Sequence, residues 1–257
     1  KALSEEAQKR HKIAAVHVKV DTGMARVGVA PSEAAAFIAK ISSLPNLQIE
    51  GLFTHFAKAE DQQDPFTQKQ FERFQRVAQR VPQIKIKHAA NSAALLFYPN
   101  TQLDMVRVGL MMYGLYPPGN SRRLINLQPA LAFRSRVTYL KRVPAGTPVS
   151  YGCTYVTPKE TNLATIPVGY ADGFSRRLSN RGQVIIRGKR FPVVGMVTMD
   201  LSMIDVGDAK VEVGDEVYLI GEQQGQLIST DEIAKLEETI SYEIVCGIGK
   251  RVPRVYK

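Results

Sequence analysis

"VHVKVDTGMARVGV", residues 16–29, decides how the rest of the chain is read. Val16, Val18 and Val20 alternate with His17, Lys19 and Asp21, the period of a strand with one apolar and one charged face. Thr22-Gly23 stops the strand, and Arg26 follows within a turn. A helix is expected next, opening at Pro31-Ser32 with Ser32 as its N-cap.

The same order of strand, loop and helix then recurs. "LQIEGLFTHFA" reads as the second strand and "DPFTQKQFERFQRVAQRV" as its helix, with Phe71, Phe74, Ala78 and Val81 on one stripe. "IKIKHAA" is a third strand backed by the short helix "NSAALLFY", and "LDMVRVGLMMYG" a fourth. Strands alternating with helices imply a parallel sheet under helical cover. Four such units in about 120 residues make half of an eight-unit β/α barrel, by the usual size of that fold.

The pattern changes near "YPPGNSRRLINLQPALAF". From about residue 128 it is strand-rich, with "FRSRVTYLKRV", "TNLATIPVGY", "QVIIRGKRFPVVGMV", "LSMIDVG" and "DEVYLIG" separated by Gly and Pro turns. One helix is expected there, "STDEIAKLEETIS", capped by Ser229 or Thr230 and acidic in its first turn. The fold class is thus α/β plus β: the C-terminal half of a (β/α)8 barrel over 1–124, then a mostly-β domain over 125–257.

Composition bounds the function. Of 257 residues, 44% are apolar and 23% charged, a globular and soluble balance. No run reaches the length of a membrane span, and the start does not read as a signal peptide. The net charge of +10 admits nucleic acid as a partner, but the basic residues are scattered and no RNA-binding or zinc-finger signature accompanies them. Nucleic acid is therefore set aside, and no metal site is read. Cys153 and Cys246 stand far apart, which argues against a disulfide scaffold and fits a reducing cytoplasm. Lys1 begins partway into a helix-like stretch, so the chain is expected to be a fragment.

In a β/α barrel, functional groups gather at the C-terminal ends of the strands. Those ends carry Lys19, Asp21 and Arg26; His55; His88, Asn91 and Ser92; and Arg107 with Gly109. The valines of the first and fourth strands should pack under helices, which turns Lys19 and Arg107 inward. An inward arginine needs an anion or an acceptor, because burying it unpaired costs several kcal/mol. An ion pair with Asp21 or Asp104 would serve, and so would a ligand. "HAANSAALL" offers free N–H groups at a helix start, a setting that favours an anion, and Gly109 beside it admits a ligand close to the backbone.

Eight motifs occur in a fixed order: "VKVDTGMARVGV", "GLFTHFA", "HAANSAALL", "VRVGLMMYG", "VSYGCTY", "IPVGYADGFSRR", "VGMVTMDLSMIDV" and "SYEIVCGIGKRVPRVY". Together they resemble the alanine racemase family, which uses pyridoxal 5'-phosphate on an N-terminal barrel followed by a C-terminal β domain. The resemblance implies an isomerase interconverting L- and D-alanine by a two-base mechanism, supplying D-alanine for peptidoglycan. It also implies a homodimer whose β domain completes the partner's site. The family's cofactor lysine lies in a "K-A-x-A-Y-G-H-G" motif, and no such motif occurs here. The chain alone is accordingly expected to be inactive. The alternatives are a racemase of broader specificity, acting for example on serine, and a non-catalytic cofactor-binding or dimerisation fragment.

Roles follow from the matched positions. Arg26 resembles the group that pairs with the substrate carboxylate, and Lys19 a lysine carbamylated in some members to brace that arginine. Ser92, Gly109, Leu110 and Tyr242 resemble phosphate contacts, with Asn91 beside them. Arg107 resembles the partner of the pyridine nitrogen, and His55 links that region to Tyr151. Tyr151 resembles the second catalytic base. Met199 and Asp200 resemble the loop that touches substrate, while Tyr170, Asp172 and Arg176 resemble the lining of its access path.

Overall fold

The computed structural model describes residues 1–118 and 124–256. It divides into two compact units, Lys1–Gln128 and Pro129–Lys257. Part of the stretch where the sequence changes character, 119–123, lies outside the described residues.

The first unit runs α1 (Ala2–Lys9), β1 (Ala14–Lys19), α2 (Ala34–Ser42), β2 (Leu47–Phe53), α3 (Phe66–Arg80), β3 (Ile86–His88) and α4 (Ser92–Phe97). β1, β2 and β3 lie parallel in that order. Val18 and Val20 are buried with Ile38, Leu52, Phe71 and Phe74 in one apolar cluster. Each such large side chain contributes about 1.5–3 kcal/mol by leaving water. The α3 stripe of Phe71, Phe74 and Ala78, continued by Val81, is buried as its spacing predicts. Ser32 is not the cap of α2. It sits in a turn closed by the Glu33 N–H on the Ala30 carbonyl at 3.0 Å, and the helix starts after Glu33.

Two local features prepare the strand ends. The β1–β2 register shifts between Val16 and His17, opposite Gly51. A Cβ on Gly51 would stand 2.4 Å from the His17 ring, so this glycine makes room for the imidazole. Beyond β1 the chain closes on itself, with the Asp21 N–H on the Val29 carbonyl and the Val29 N–H on the Lys19 carbonyl, both at 2.9 Å. Gly28, at φ +136°, allows that closure, and the resulting loop carries Arg26.

The expected fourth strand is not a full strand. Met105 makes a single bridge to His88, and Val106 is 36% exposed rather than under a helix. The Asp104 carboxylate takes the Lys87 N–H at 2.8 Å and the Arg107 N–H reaches the Ala90 carbonyl at 2.9 Å. Past Gly109 the chain winds into a 3-10 helix, Leu110–Tyr113, which ends the ladder.

The second unit comprises β4 (Phe133–Arg136), β5 (Tyr139–Val143), β6 (Pro148–Val149), β7 (Tyr155–Val156), β8 (Thr161–Ile166), β9 (Gln183–Ile186), β10 (Lys189–Val194), β11 (Ser202–Gly207), β12 (Glu216–Gln223), β13 (Gln226–Ile228), α5 (Thr230–Glu237) and α6 (Ser241–Gly247). One antiparallel sheet has the order β13-β12-β9-β10-β11-β8-β5, with β4 also on β12; β6 and β7 form a small hairpin. Ile166, Ile185, Ile204 and Leu219 fill its core. Ser229 caps α5, accepting from the Glu232 N–H at 3.1 Å. α6 was not expected. "SYEIVCG" is short and rich in poor helix formers, and packing of Ile244 into the core overrides that local preference.

Candidate active site

The strand ends of the first unit bring the cations Lys19, Arg26 and Arg107 together with an acid, Asp21. The Asp21 carboxylate accepts from the N–H groups of Gly23, Met24 and Ala25 at 2.9, 2.9 and 3.1 Å. Burial works to raise its pKa, but these three donors and Lys19 outweigh it and hold the carboxyl below the usual range. Asp21 is thus committed to the loop that presents Arg26. The alternative of a Lys19–Asp21 ion pair is not formed. Lys19 is held below the ordinary lysine value by burial, then by the Arg26 charge, with Asp21 opposing and Arg107 adding. Lys19 thus feels two cations, Arg26 and Arg107, against one acid, Asp21, and that surplus of positive charge favours an anion from outside.

Arg107 is the hub of this end. Its Nη1 donates to His88 Nδ1 at 2.6 Å, and its Nη2 to the carbonyls of Thr54 and Ala89 at 2.7 and 3.2 Å and to His55 Nδ1 at 3.3 Å. All four acceptors are neutral, so the ion pair with Asp21 or Asp104 left open above does not exist. The guanidinium also lies 5.1 Å from the centre of the Phe53 ring. Because an arginine always donates, His88 must present a bare Nδ1 and carry its proton on Nε2. That proton goes to His17 Nδ1 at 2.7 Å, which fixes the second tautomer as well. Burial, Arg107 and His17 push His88 down to about 4; burial, Arg107, Arg26 and Lys19 do the same to His55.

The helix start after β3 is built from the same segment. Asn91 Oδ1 accepts from the Ala94 N–H at 2.9 Å, so its side chain serves as the cap of α4. Buried Ser92 accepts the Gly109 N–H on its Oγ at 3.0 Å, which leaves the donor side of its hydroxyl for another partner. Open space stands where a Cβ of Gly109 would be, and Leu110 behind it is buried. This donor set fits pyridoxal 5'-phosphate: a hydroxyl and an open glycine for a phosphate, and an acid-free arginine for a ring nitrogen.

The second unit presents its candidates on exposed loops. Tyr151 is 74% exposed and opens a 3-10 turn, Tyr151–Cys153. Ser150 (φ +64°), Gly152 (+71°) and Cys153 (+49°) are all left-handed around it, and such local strain collects at functional loops. The Ser150 hydroxyl anchors the turn on the Met196 carbonyl at 2.7 Å. Tyr151, Ser150, Thr198 and Leu201 line one groove of about 540 Å³. Tyr170 and Arg176 line another of about 490 Å³ with Glu237, Glu243 and Gly247. Tyr242, 44% exposed, lies in the first turn of α6.

Asp172 is only 8% exposed, and its carboxylate holds Arg251 through Nε at 2.7 Å and Nη2 at 3.1 Å. The same Nη2 reaches Asp200 at 2.6 Å, while neighbouring Met199 is 54% exposed. Sequence reasoning placed Asp21 and His88 at the strand ends without giving them a role in the site, and did not single out Arg251 or His17. For Arg251 the signal was a Gly-x-Gly-Lys-Arg run within a motif already singled out; the two histidines gave none, since their partners lie on other strands. Among the described residues, no group of three His, Cys, Asp or Glu side chains is placed to hold a metal.

Half of a β/α barrel with a cation-rich strand-end site, followed by an antiparallel β unit, defines an enzyme of the barrel-plus-β class. The chain matches the family descriptions "Alanine racemase, N-terminal domain" over residues 1–117 and "Alanine racemase, C-terminal domain" over 130–256. It is 50% identical to an alanine racemase of Halothermothrix orenii, covering 100% of this chain and 69% of that protein. An alanine racemase structure from Clostridium difficile 630 superposes with a TM-score of 0.92 at 38% identity, covering 99% of this chain and 67% of that one. A Bartonella henselae alanine racemase with covalently bound pyridoxal phosphate superposes at 0.85 with 32% identity, over 100% and 70%. The chain belongs to the alanine racemase family, whose members are isomerases.

Proposed function

We propose that this protein interconverts L- and D-alanine with pyridoxal 5'-phosphate, and that D-alanine for peptidoglycan is the use of its product. The observation that carries the reading is the Arg107 hub, a part-buried cation served only by neutral acceptors. Bound at this hub, the cofactor supplies an electron sink that acidifies the substrate Cα–H. Arg107 cannot release a proton, so it keeps the ring nitrogen unprotonated and moderates that sink. Ser92, Gly109, Leu110 and Tyr242 hold the phosphate, with Asn91 shaping the helix start. His55, kept neutral near its cations, orients the ring.

Arg26 takes the substrate carboxylate. Lys19 braces it, and its depressed pKa leaves more neutral amine for carbamylation. Tyr151 moves the proton on one face of Cα, and Met199 and Asp200 touch the substrate beside it; Tyr170, Asp172 and Arg176 flank the access path. The assembly is a homodimer in the cytoplasm, with residues 1–124 forming the second half of the cofactor-binding barrel and residues 125–257 also contributing to the partner's site. The base on the opposite face is a lysine that this reading places outside the 257 residues, so the chain alone does not turn over.

The test follows the α-proton in heavy water, using the complete polypeptide loaded with pyridoxal 5'-phosphate. Deuterium should enter both alanine enantiomers as optical activity decays to zero. Retained configuration, with the cofactor bound at saturation, sinks the proposal.

A further inference from the structure

The turn that carries Met199 and Asp200 is closed at its base and loosely held at its tip. At the base, Thr198 N–H donates to the Leu201 carbonyl at 3.0 Å and Leu201 N–H to Thr198 Oγ1 at 3.2 Å. Alongside, the Tyr170–Asp172 turn is packed so closely that a Cβ on Gly169 would lie 2.2 Å from the Thr198 carbonyl oxygen. Gly249 likewise lies against that turn, its N–H on the Asp172 carbonyl at 2.9 Å. Among the described residues the tip itself has two ties: the Ala171 N–H on the Met199 carbonyl at 3.1 Å, and Arg251 on Asp200.

We propose that Arg251 is a positioning residue that sets the Met199–Asp200 tip for substrate, with Asp172 as its anchor. The proposal rests on the reading above that this tip meets the substrate. An ion pair between an exposed Asp200 and a free arginine would order little. Here the guanidinium is first locked by a two-toothed contact to a buried carboxylate, which is itself oriented by the Gly169 N–H at 3.0 Å. One planar fork then spans two acids from two segments, a geometry that lysine cannot reproduce. Asp172 thereby acts by holding the arginine.

The test compares wild type with Arg251→Gln, Arg251→Lys, Asp200→Asn and the Arg251→Gln/Asp200→Asn pair, each in the complete, cofactor-loaded protein. For Arg251→Gln, KM for alanine should rise about tenfold with kcat within about threefold. Amide exchange of the 199–201 segment should quicken about tenfold while the first unit is unchanged. Arg251→Lys should restore less than half of either effect, and the double variant should be no worse than Asp200→Asn. Unchanged exchange, faster exchange with unchanged KM, or fully additive penalties each overturn the positioning role. Wild type that racemises no alanine overturns the racemase reading and the substrate half of this proposal together, while exchange still decides whether Arg251 holds the turn.

Discussion

The strand ends of the first unit and the loops of the second are built on opposite principles. In the first, His88 is 3% exposed and Arg107 is held by four neutral acceptors, so the polar groups are placed by burial and fixed in tautomer by one obligate donor. In the second, Tyr151 and Met199 are 74% and 54% exposed and stand on left-handed or ion-tied turns. A buried constellation resists change because each lost partner strands another group. An exposed one can lose its tip without disturbing the fold. Function and stability should therefore separate in the second unit and travel together in the first.

The sharpest way to break that contrast is Tyr151→Phe. Loss of a proton-transfer group costs about 10²- to 10⁴-fold in rate. The expected outcome is a fall of that size in racemisation, with the melting temperature unmoved because the hydroxyl is exposed. A parallel drop in melting temperature would erase the distinction between the units.

Acid should act on the first unit. His55 and His88 are pushed down to about 4 in the folded chain, against an ordinary 6.5. Between those values the unfolded chain binds more protons than the folded one, so stability rises with pH. The contribution is complete above about pH 6.5 and is lost as pH falls toward about 4, on the order of a few kcal/mol in all. Circular-dichroism melts across that window should show the loss, and His88→Gln should remove about half of it, leaving the share of His55. A slope that His88→Gln leaves intact would remove the buried imidazole as its source.

The smallest effect sharpens the comparison within the first unit. Asp21→Ala frees the N–H groups of Gly23, Met24 and Ala25, of which those of Gly23 and Ala25 face solvent and can find water. Stability should drop by about 1 kcal/mol, the scale of a lost cap. KM for alanine should rise several-fold as Arg26 loses its platform. An unchanged KM would show that Gly28 and the backbone bonds of Val29 to Lys19 and Asp21 alone place the arginine.

Periodicity made much of this protein legible. Alternating valines announced β1, the Phe71–Phe74–Ala78 stripe announced α3, and Ser229 announced the start of α5, because each reports on neighbours within a few residues. Ordered motifs also brought Arg26, Ser92, Arg107 and Tyr151 forward as a set. What sequence spacing did not carry was pairing across elements. The "LDMVRVG" stretch makes one bridge, Met105 to His88, where a strand was expected. His17 meets His88 across 71 residues, and Arg251 meets Asp172 across 79. Such contacts depend on where Gly51 makes room for a ring and where Gly169 lets two backbones touch, distances that appear only once the chain has folded.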